Sequence, residues 1–196
     1  RIRGHLLPQS LASHSGYPEA AVLRGLRVVR IAVSDEVRRA GIGQSMVQAA
    51  RAYAAEQDVD YLGTSFGGSA DLLAFWQTCG LHVVRVGLQQ EASSGEYPLQ
   101  MVAGFSQAGR DLEERIRSRL ADHWLTLLPG NWQGLEPTLL AGITADLPTG
   151  PTLDKDDLRD LRNFANGHRG FQVTVPVLRK LSQVPGIMAW LKSHEA

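Results

Sequence analysis

The sequence predicts an α/β fold with a mixed sheet, followed by a small helical domain. As far as residue 105, runs of β-branched and apolar residues alternate with amphipathic helical patterns, the order expected of parallel crossovers. Only a polar loop separates the last two strand-like runs, so the chain returns there as in a hairpin. No strong strand pattern follows Ser106. We therefore expect a sheet-containing domain at 1–107 and a helical domain at 108–196.

The individual elements follow in chain order. A short helix is expected at 4–14, and strands are predicted at 26–33, 61–66, 81–88 and 97–105. Between them, helices are predicted at 41–57, from apolar residues at helical spacing, and at 69–79, from Ser69 as N-cap and Gly80 after the last turn. The later helices are one long helix from 106 that Pro129 ends, and short ones at 136–143, 155–166, 176–182 and 186–193.

Composition restricts the function classes. The 20 Lys and Arg balance the 20 Asp and Glu, so the chain has no strong overall field to draw it to nucleic acid or membrane. A single cysteine, Cys79, excludes an internal disulfide, and no apolar run approaches the ~18 residues of a membrane span. We expect a cytoplasmic protein with no membrane partner. Because the chain begins with Arg1, we also expect it to be a piece of a longer protein.

A glycine-containing segment carries the clearest chemical signal. Residues 38–43, RRAGIG, lie between a predicted strand and the first turn of a predicted helix. Gly41 and Gly43 let a ligand approach the backbone, and the helix start offers free N–H donors that suit a pyrophosphate. The same two glycines also suit a plain strand-to-helix turn, and spacing alone leaves both interpretations open.

Two other nucleotide-binding motifs do not fit this segment. A Walker loop needs a lysine directly after the second glycine, and Gln44 follows Gly43 here. A dinucleotide fingerprint needs a third glycine three residues after Gly43, and that position is Met46. The remaining pattern, Arg-x-x-Gly-x-Gly, resembles the acetyl-CoA loop of GCN5-related N-acetyltransferases.

The resemblance extends beyond the loop. The segments RIAVSDEVRRAGIG, DYLGTSFGGSADLLAFWQTCGL, QEASSGEY and SQAGRDLEERIRSRL together resemble the C-terminal part of the bacterial tRNA(Met) cytidine acetyltransferase family. That resemblance implies a GCN5-related acetyltransferase-like mixed sheet whose N-terminal strands are missing, followed by a helical domain that helps to hold tRNA. It implies acetyl-CoA-dependent N4-acetylation of the wobble cytidine of elongator tRNA(Met). It also implies an N-terminal ATPase/helicase-like module of the same polypeptide, absent from this chain, that uses ATP.

The resemblance assigns cofactor-binding roles residue by residue. The strand that would bond the pantetheine arm contributes Ile31, Ala32 and Val33. The pyrophosphate loop would be formed by Arg38, Arg39, Ala40, Gly41, Ile42, Gly43 and Gln44. Asp71 matches an acidic position that contacts the cofactor, and Thr78 replaces an arginine found in relatives. No metal ligand is expected.

Catalytic and tRNA-contacting residues are less determined. Many members of the superfamily protonate the leaving thiolate with a tyrosine of a Phe-Tyr pair, but here the pair is Phe75-Trp76, so the catalytic residues stay unassigned. For tRNA, the candidates are Glu91, Ser93 and Ser94 in the polar loop, for which a plain turn is an equal explanation. Further candidates are Arg162, Arg169 and Arg179.

Those three arginines come from the segment 159–180, which holds five basic residues and one acid. Without the resemblance, a solvated helical face explains the segment equally well. Two other functions stay open at this point. One is a protein or small-molecule N-acetyltransferase of the same superfamily, and the other is a non-catalytic RNA-binding or docking module.

Overall fold

The sheet contains four strands in the order β1-β2-β4-β3. We analysed a computed structural model, which describes residues 6–92, 94–148 and 153–182. The strands are β1 (Gly25–Val28), β2 (Tyr61–Gly67), β3 (His82–Val86) and β4 (Pro98–Gly104). Strand β1 runs parallel to β2, and β4 is antiparallel to both β2 and β3. The predicted mixed sheet with an antiparallel return is therefore confirmed.

Seven α-helices accompany the sheet within the described residues. They are α1 (Leu6–Ser13), α2 (Ile42–Glu56), α3 (Ala70–Thr78), α4 (Gln107–Asn131), α5 (Pro137–Asp146), α6 (Lys155–Ala165) and α7 (Phe171–Ser182). Side-chain caps fix several of their starts. The Ser69 hydroxyl accepts a hydrogen bond from the Leu72 N–H, and the Ser106 hydroxyl accepts one from the Gly109 N–H. The predicted helix at 186–193 lies outside the described residues.

The strand prediction for 26–33 is wrong over its second half. Strand β1 ends at Val28, opposite Thr64, although the residues that follow are also β-branched and apolar. Strand β2 continues to Gly67, but there it pairs only with β4. The two parallel strands therefore diverge after Val28, and the chain beyond it has no ladder partner.

The prediction that Pro129 ends the long helix is also wrong. Helix α4 continues through Pro129 to Asn131. Proline lacks an N–H and its ring crowds the preceding turn, but two hydrogen bonds donated from just beyond Pro129 support the helix end. The Asn131 side-chain amide donates to the Leu127 carbonyl at 2.9 Å, and the Trp132 N–H donates to the Leu128 carbonyl at 3.1 Å.

Two hydrophobic clusters cover opposite faces of the sheet. Successive strand residues point to opposite faces, so Leu62 and Met101 belong to one cluster and Tyr61 and Val102 to the other. The first cluster contains residues of α2, α3 and α5, and the second contains residues of α1 and the first half of α4. Helix α4 contributes to both, with Ile116 in the second cluster and Trp124 in the first.

Asp60 joins the start of β2 to the start of α4. One of its carboxylate oxygens accepts from the Arg24 N–H at 2.7 Å, and the other accepts from the Ser106 hydroxyl at 2.5 Å. Its carbonyl accepts from the Phe105 N–H at 2.7 Å. Helix α4 approaches so closely that a Cβ built on Gly109 would lie 1.9 Å from the Asp60 carbonyl oxygen.

A buried carboxylate attaches α5 to the sheet. The Asp146 side chain accepts from the Val83 N–H at 2.7 Å and from the Gln77 amide at 3.2 Å, and it contacts His82 Nδ1 at 3.1 Å. Burial raises the pKa of Asp146, but these hydrogen bonds outweigh it and leave the pKa below its ordinary value. Helices α4 and α5, which follow the predicted domain boundary at residue 107, pack on the sheet that precedes it. The division of the chain into two domains at that residue stays a prediction.

Candidate cofactor site

The glycine-containing segment adopts a conformation that few other residues would tolerate. Gly41 has φ +81° and is the N-cap of α2, and Arg39 also has a positive φ of +63°. Gly41 has no side chain to cap the helix. The N–H groups of Ile42, Gly43 and Gln44 therefore open α2 without an intrahelical carbonyl partner, at the positive end of the helix dipole.

A cavity of ≈ 640 Å³ lies directly against this helix start. The residues that the resemblance assigned to the cofactor all line it, with the single exception of Ala40. They are Ile31, Ala32, Val33, Arg38, Arg39, Gly41, Ile42, Gly43, Gln44 and Asp71. We call this space the loop cavity. Their role in cofactor binding stays a prediction, but the fold brings them to one concave surface.

The divergence of β1 and β2 explains how residues outside a strand reach the loop cavity. Beyond Val28 the chain leaves β2, and Ile31, Ala32 and Val33 form one wall without being part of the ladder. Their backbone groups therefore have no partner in β2. An extended ligand with amide groups, as in a pantetheine arm, suits such a wall.

The opposite wall comes from α3. Leu72, Ala74, Phe75 and Thr78 line the loop cavity together with Asp71. Of these five residues, only Asp71 was predicted to contact the cofactor. Their spacing along α3 places them on one side of the helix, and that spacing could have predicted the other four. Gly43 packs closely here, because a Cβ built on it would lie 3.1 Å from the Phe75 ring. A Cβ at position 43 would therefore require the Phe75 ring of α3 to shift by a few tenths of an ångström.

The charged groups at the mouth are exposed and weakly paired. Arg38 forms an ion pair with Asp35 at 2.7 Å and also donates to the Val33 carbonyl at 3.3 Å. Arg39 and Asp71 are 4.0 Å apart, and both side chains are more than nine-tenths exposed. Exposed pairs of this kind contribute little to stability, so both arginines can reorient toward an anion at small cost.

Thr78, which the resemblance predicts to replace an arginine, has its hydroxyl engaged within the protein. It donates to the Phe75 carbonyl at 2.7 Å and accepts from the Gln44 side-chain amide at 3.1 Å. This contact joins the first turn of α2 to the last turn of α3. Thr78 thus stabilises the shape of the loop cavity without adding charge to it.

The residues next to the loop cavity offer no obvious acid. Trp76 is buried in the first hydrophobic cluster, while its neighbour Phe75 faces the cavity. Cys79 is also buried, and burial raises the pKa of its thiol despite the lowering effects of Thr78 and Arg51. The described lining contains no tyrosine, histidine or cysteine. No residue of this lining is therefore assigned to proton transfer.

The predicted tRNA candidates of the polar loop lie elsewhere. Glu91 and Ser94 are exposed in a turn closed by hydrogen bonds from the Ser94 and Gly95 N–H groups to the Glu91 carbonyl. Neither lines the loop cavity. Ser93 lies outside the described residues. The turn itself lies near the C-terminal end of β2, since a Cβ on Gly67 would meet the Glu96 side chain.

The predicted basic patch of the tail is largely neutralised by acids. Arg169 forms an ion pair with Asp160 at 3.0 Å and donates to the Val173 carbonyl, and Lys180 contacts Asp157 at 2.9 Å. Arg159 pairs with Asp156 and Asp160. Arg162 is exposed, and Arg179 is exposed but has interactions of its own. The expected excess of positive charge at 159–180 is therefore much reduced, although the role of these arginines in tRNA binding stays a prediction.

Two negative observations apply to the described residues. None of their helices is both long enough and apolar enough to cross a bilayer. No group of three or more His, Cys, Asp or Glu side chains among them is arranged to hold a metal ion.

Comparison with known proteins adds to this geometry. The family model for GNAT acetyltransferase 2 matches residues 52–106, from the middle of α2 to the start of α4. The chain is 38% identical to the tRNA(Met) cytidine acetyltransferase TmcA of Photorhabdus asymbiotica, over 99% of this chain and 27% of that protein. The same enzyme of Citrobacter koseri is 41% identical over 92% of this chain and 26% of its own length.

A third relative, TmcA of Pectobacterium atrosepticum, is 38% identical over 94% of this chain and 28% of its own length. Among solved structures, an acetyltransferase of Bacillus subtilis in complex with CoA covers 42% of this chain and 62% of its own, at 18% identity and a TM-score of 0.37. That likeness is too distant to bear on the site. The chain spans about a quarter of the length of the curated relatives it matches.

The matches to the relatives include the glycine-containing segment, which the family model does not reach, and they extend through the helical part. The chain is thus similar, along nearly all of its length, to part of the bacterial tRNA(Met) cytidine acetyltransferases, and its residues 52–106 match a family model of GNAT acetyltransferases.

Proposed function

We propose that the chain binds acetyl-CoA in the loop cavity and forms part of a cytoplasmic enzyme that acetylates N4 of the wobble cytidine in elongator tRNA(Met). The observation that carries the proposal is the loop cavity itself. An uncapped helix start, two nearby arginines and a backbone segment with no ladder partner in β2 line one space, in a chain related to tRNA(Met) cytidine acetyltransferases. ATP would be used by a module outside this chain.

The residues at the start of α2 would hold the pyrophosphate. The N–H groups of Ile42, Gly43 and Gln44 point along the helix axis, where they and the helix dipole favour an anion. Gly41 and Gly43 let its oxygens approach the backbone, because a side chain at either position would be strained or crowded. Arg38 and Arg39 supply charge at the mouth of the cavity.

The two walls would orient the rest of the cofactor. Backbone groups at 31–33 suit the amides of the pantetheine arm, and the Leu72, Ala74 and Phe75 side chains offer an apolar surface opposite. When bound, acetyl-CoA supplies an activated acetyl group for transfer to an amine. Since Trp76 is buried and cannot exchange a proton, the acid for the departing thiolate is a residue outside this lining or water.

The transfer to tRNA requires contacts that the loop cavity does not supply. Arg162, Arg169 and Arg179 are the tail residues proposed to bind tRNA phosphates. Replacing all three with alanine should reduce the salt dependence of tRNA binding, because fewer counterions would be released. An unchanged salt dependence would remove these residues from the tRNA surface.

The central test is a calorimetric titration of acetyl-CoA into the 196-residue chain and its variants. The wild-type chain should bind, while Gly41→Glu and Gly43→Glu should abolish binding by placing a carboxylate and its bulk against the pyrophosphate. Gly130→Glu is a matched control, because it adds the same charge where a Cβ meets no atom within 4 Å.

Two results would contradict the assignment of the cofactor site. One is a wild-type chain that gives no heat and no protection of residues 38–44 from hydrogen exchange. The other is equal binding by the wild type and both glutamate variants. If acetyl-CoA binds and a small amine is acetylated without RNA, the general N-acetyltransferase interpretation replaces the tRNA one.

A further inference from the structure

A second cavity, of ≈ 440 Å³, lies between the end of α1, strand β3 and the middle of α4. It shares no residue with the loop cavity. Its floor is apolar and includes Val84, Val86, Ile116 and Trp132. Its charged lining consists of Arg85 and Arg119, with His14 and His123 beside them, and no aspartate or glutamate lines it.

Arg85 is the most unusual of these groups. It lies on β3, opposite Gln100 of β4, and is half-buried. Burial lowers the pKa of its guanidinium. Its side chain forms no ion pair and no hydrogen bond with the described residues. A desolvated cation is costly unless an anion lies next to it, so the environment of Arg85 favours a negatively charged partner.

Arg119 and His123 lie one turn apart on α4 and face the same cavity. Both are exposed, and within the described part of the chain neither pairs with a carboxylate. Glu19 and Glu113 are engaged elsewhere: Glu19 binds Arg115, and Glu113 binds Arg117 and the Gly104 N–H. Asp122, three residues after Arg119 on α4, does not line the cavity. The lining itself therefore supplies no carboxylate to Arg85 or Arg119.

We propose that this cavity binds a phosphate group, held by Arg85 and Arg119 with His123 and His14 at its rim. Arginine presents paired N–H donors that match phosphate oxygens, and the apolar floor suits the organic part of a phosphate ester. The phosphate belongs either to an RNA backbone or to a soluble phosphate compound. The site is separate from the loop cavity, so it does not depend on acetyl-CoA binding.

The test is a titration of the 196-residue chain with inorganic phosphate, followed by backbone amide NMR. Resonances of residues 84–88 and 116–127 should shift, whether or not those of 38–44, at the proposed pyrophosphate site, shift as well. Arg119→Gln should weaken the apparent phosphate affinity about tenfold, because one charge-assisted contact is lost. Arg24→Gln is the matched control, since it removes an exposed arginine that lines neither cavity, and it should bind as the wild type.

Arg119 is on the exposed side of α4, so Arg119→Gln should fold even if a substitution of the half-buried Arg85 does not. Shifts confined to 38–44, no shift at all, or equal binding by Arg119→Gln and Arg24→Gln would overturn the proposal. Adding tRNA at matched ionic strength then identifies the source. Displacement of inorganic phosphate by tRNA indicates an RNA phosphodiester, and retention indicates a soluble phosphate compound.

Discussion

The loop at 38–44 and the helix pair α6–α7 are both rich in arginine, but their ion pairs differ in solvent exposure. Around the loop, Arg38 pairs with Asp35 at 2.7 Å and Arg39 lies 4.0 Å from Asp71, and all four side chains are mostly exposed. In the helix pair, the Asp157 and Asp160 side chains are only 10% and 17% exposed and hold Lys180 and Arg169 at 2.9 Å and 3.0 Å. The loop arginines therefore remain accessible to a ligand, whereas the basic residues of the helix pair form ion pairs that stabilise it.

This difference shows which sequence patterns predict local structure reliably. A glycine pattern acts on the backbone within a few residues, so its geometry follows directly from the sequence. A count of charges depends on partners, and the partners Asp154, Asp156 and Asp157 stand just before the counted segment 159–180. Charge clusters therefore need their neighbours counted across the whole helix pair.

The largest expected effect comes from breaking the tail's own network. Asp157→Ala removes both the reciprocal contact of the α6 capping box and the partner of Lys180. We expect α6–α7 to lose about 1.5 kcal/mol of stability. Hydrogen exchange of the amides at 155–182 measures it, and Asp71→Ala is the matched control at the loop. Unchanged exchange in Asp157→Ala would show that the network is not structural.

The same network predicts a pH window for the tail. A hydrogen bond from the Asp157 N–H is the largest of the effects that lower the pKa of Asp154, so this stabilisation exists above pH 3.8 and is lost as the pH falls through the lowered value. The hydrogen bond to Asp157 raises the pKa of Lys180, so that stabilisation exists below pH 10.5 and is lost as the pH rises through the raised value. Methyl NMR signals of Val177 and Leu178 should report unfolding on both sides, and in Asp157→Ala the alkaline limb should disappear.

Two glycines with the same backbone conformation separate stability from binding. Gly41 has φ +81° and Gly167, after α6, has φ +74°, and neither has an atom within 4 Å of a built Cβ. Gly41→Ala and Gly167→Ala should each cost about 1 kcal/mol of stability through backbone strain. Only Gly41→Ala should weaken acetyl-CoA binding in calorimetry. Equal binding by both variants would place the cofactor away from the loop.

A smaller effect is expected from releasing the tail arginines. Asp160→Asn removes the carboxylate that pairs with Arg169 and Arg159. At low salt, tRNA should bind about threefold more tightly, because a freed cation can meet a phosphate. Filter binding across a salt series measures this, and Arg169→Gln in the same background should cancel the gain. No gain in Asp160→Asn would indicate that RNA does not reach this face.

The smallest effect is expected at the mouth of the loop cavity. Asp71→Asn removes an exposed partner of Arg39 at 4.0 Å, and thermal unfolding should change by less than about 0.3 kcal/mol. A larger loss would mean that this pair has a structural role like the pairs of the tail.

Much of the fold could be predicted from the sequence because its signals are local. The Ser69 and Ser106 caps mark helix starts, and the alternation of helical and strand patterns predicted the mixed sheet that is observed. The strand prediction failed where secondary structure depends on pairing with a distant part of the chain. Residues 29–33 have strand composition, but beyond Thr64 strand β2 pairs with β4 alone, so these residues have no ladder partner.

The loop cavity shows the same limit. Its glycines, its arginines and Asp71 were predicted from the sequence. Leu72, Ala74 and Phe75 were not, because their place in the lining depends on the packing of α3 beside α2. Pro129 is a further example, because support from Asn131 and Trp132 keeps α4 helical where the residue type alone argues for an end.

The contact between Gly109 and the Asp60 carbonyl has a consequence for genetics. A methyl group at position 109 would overlap a backbone atom that cannot move without disturbing both β2 and α4. In a library of single substitutions, selection for folded protein should keep glycine at this position and at few other helical sites. The frequency of substitutions at residue 109 among the selected sequences would therefore report whether α4 must pack on the sheet. Sequencing alone measures it, without a biochemical assay.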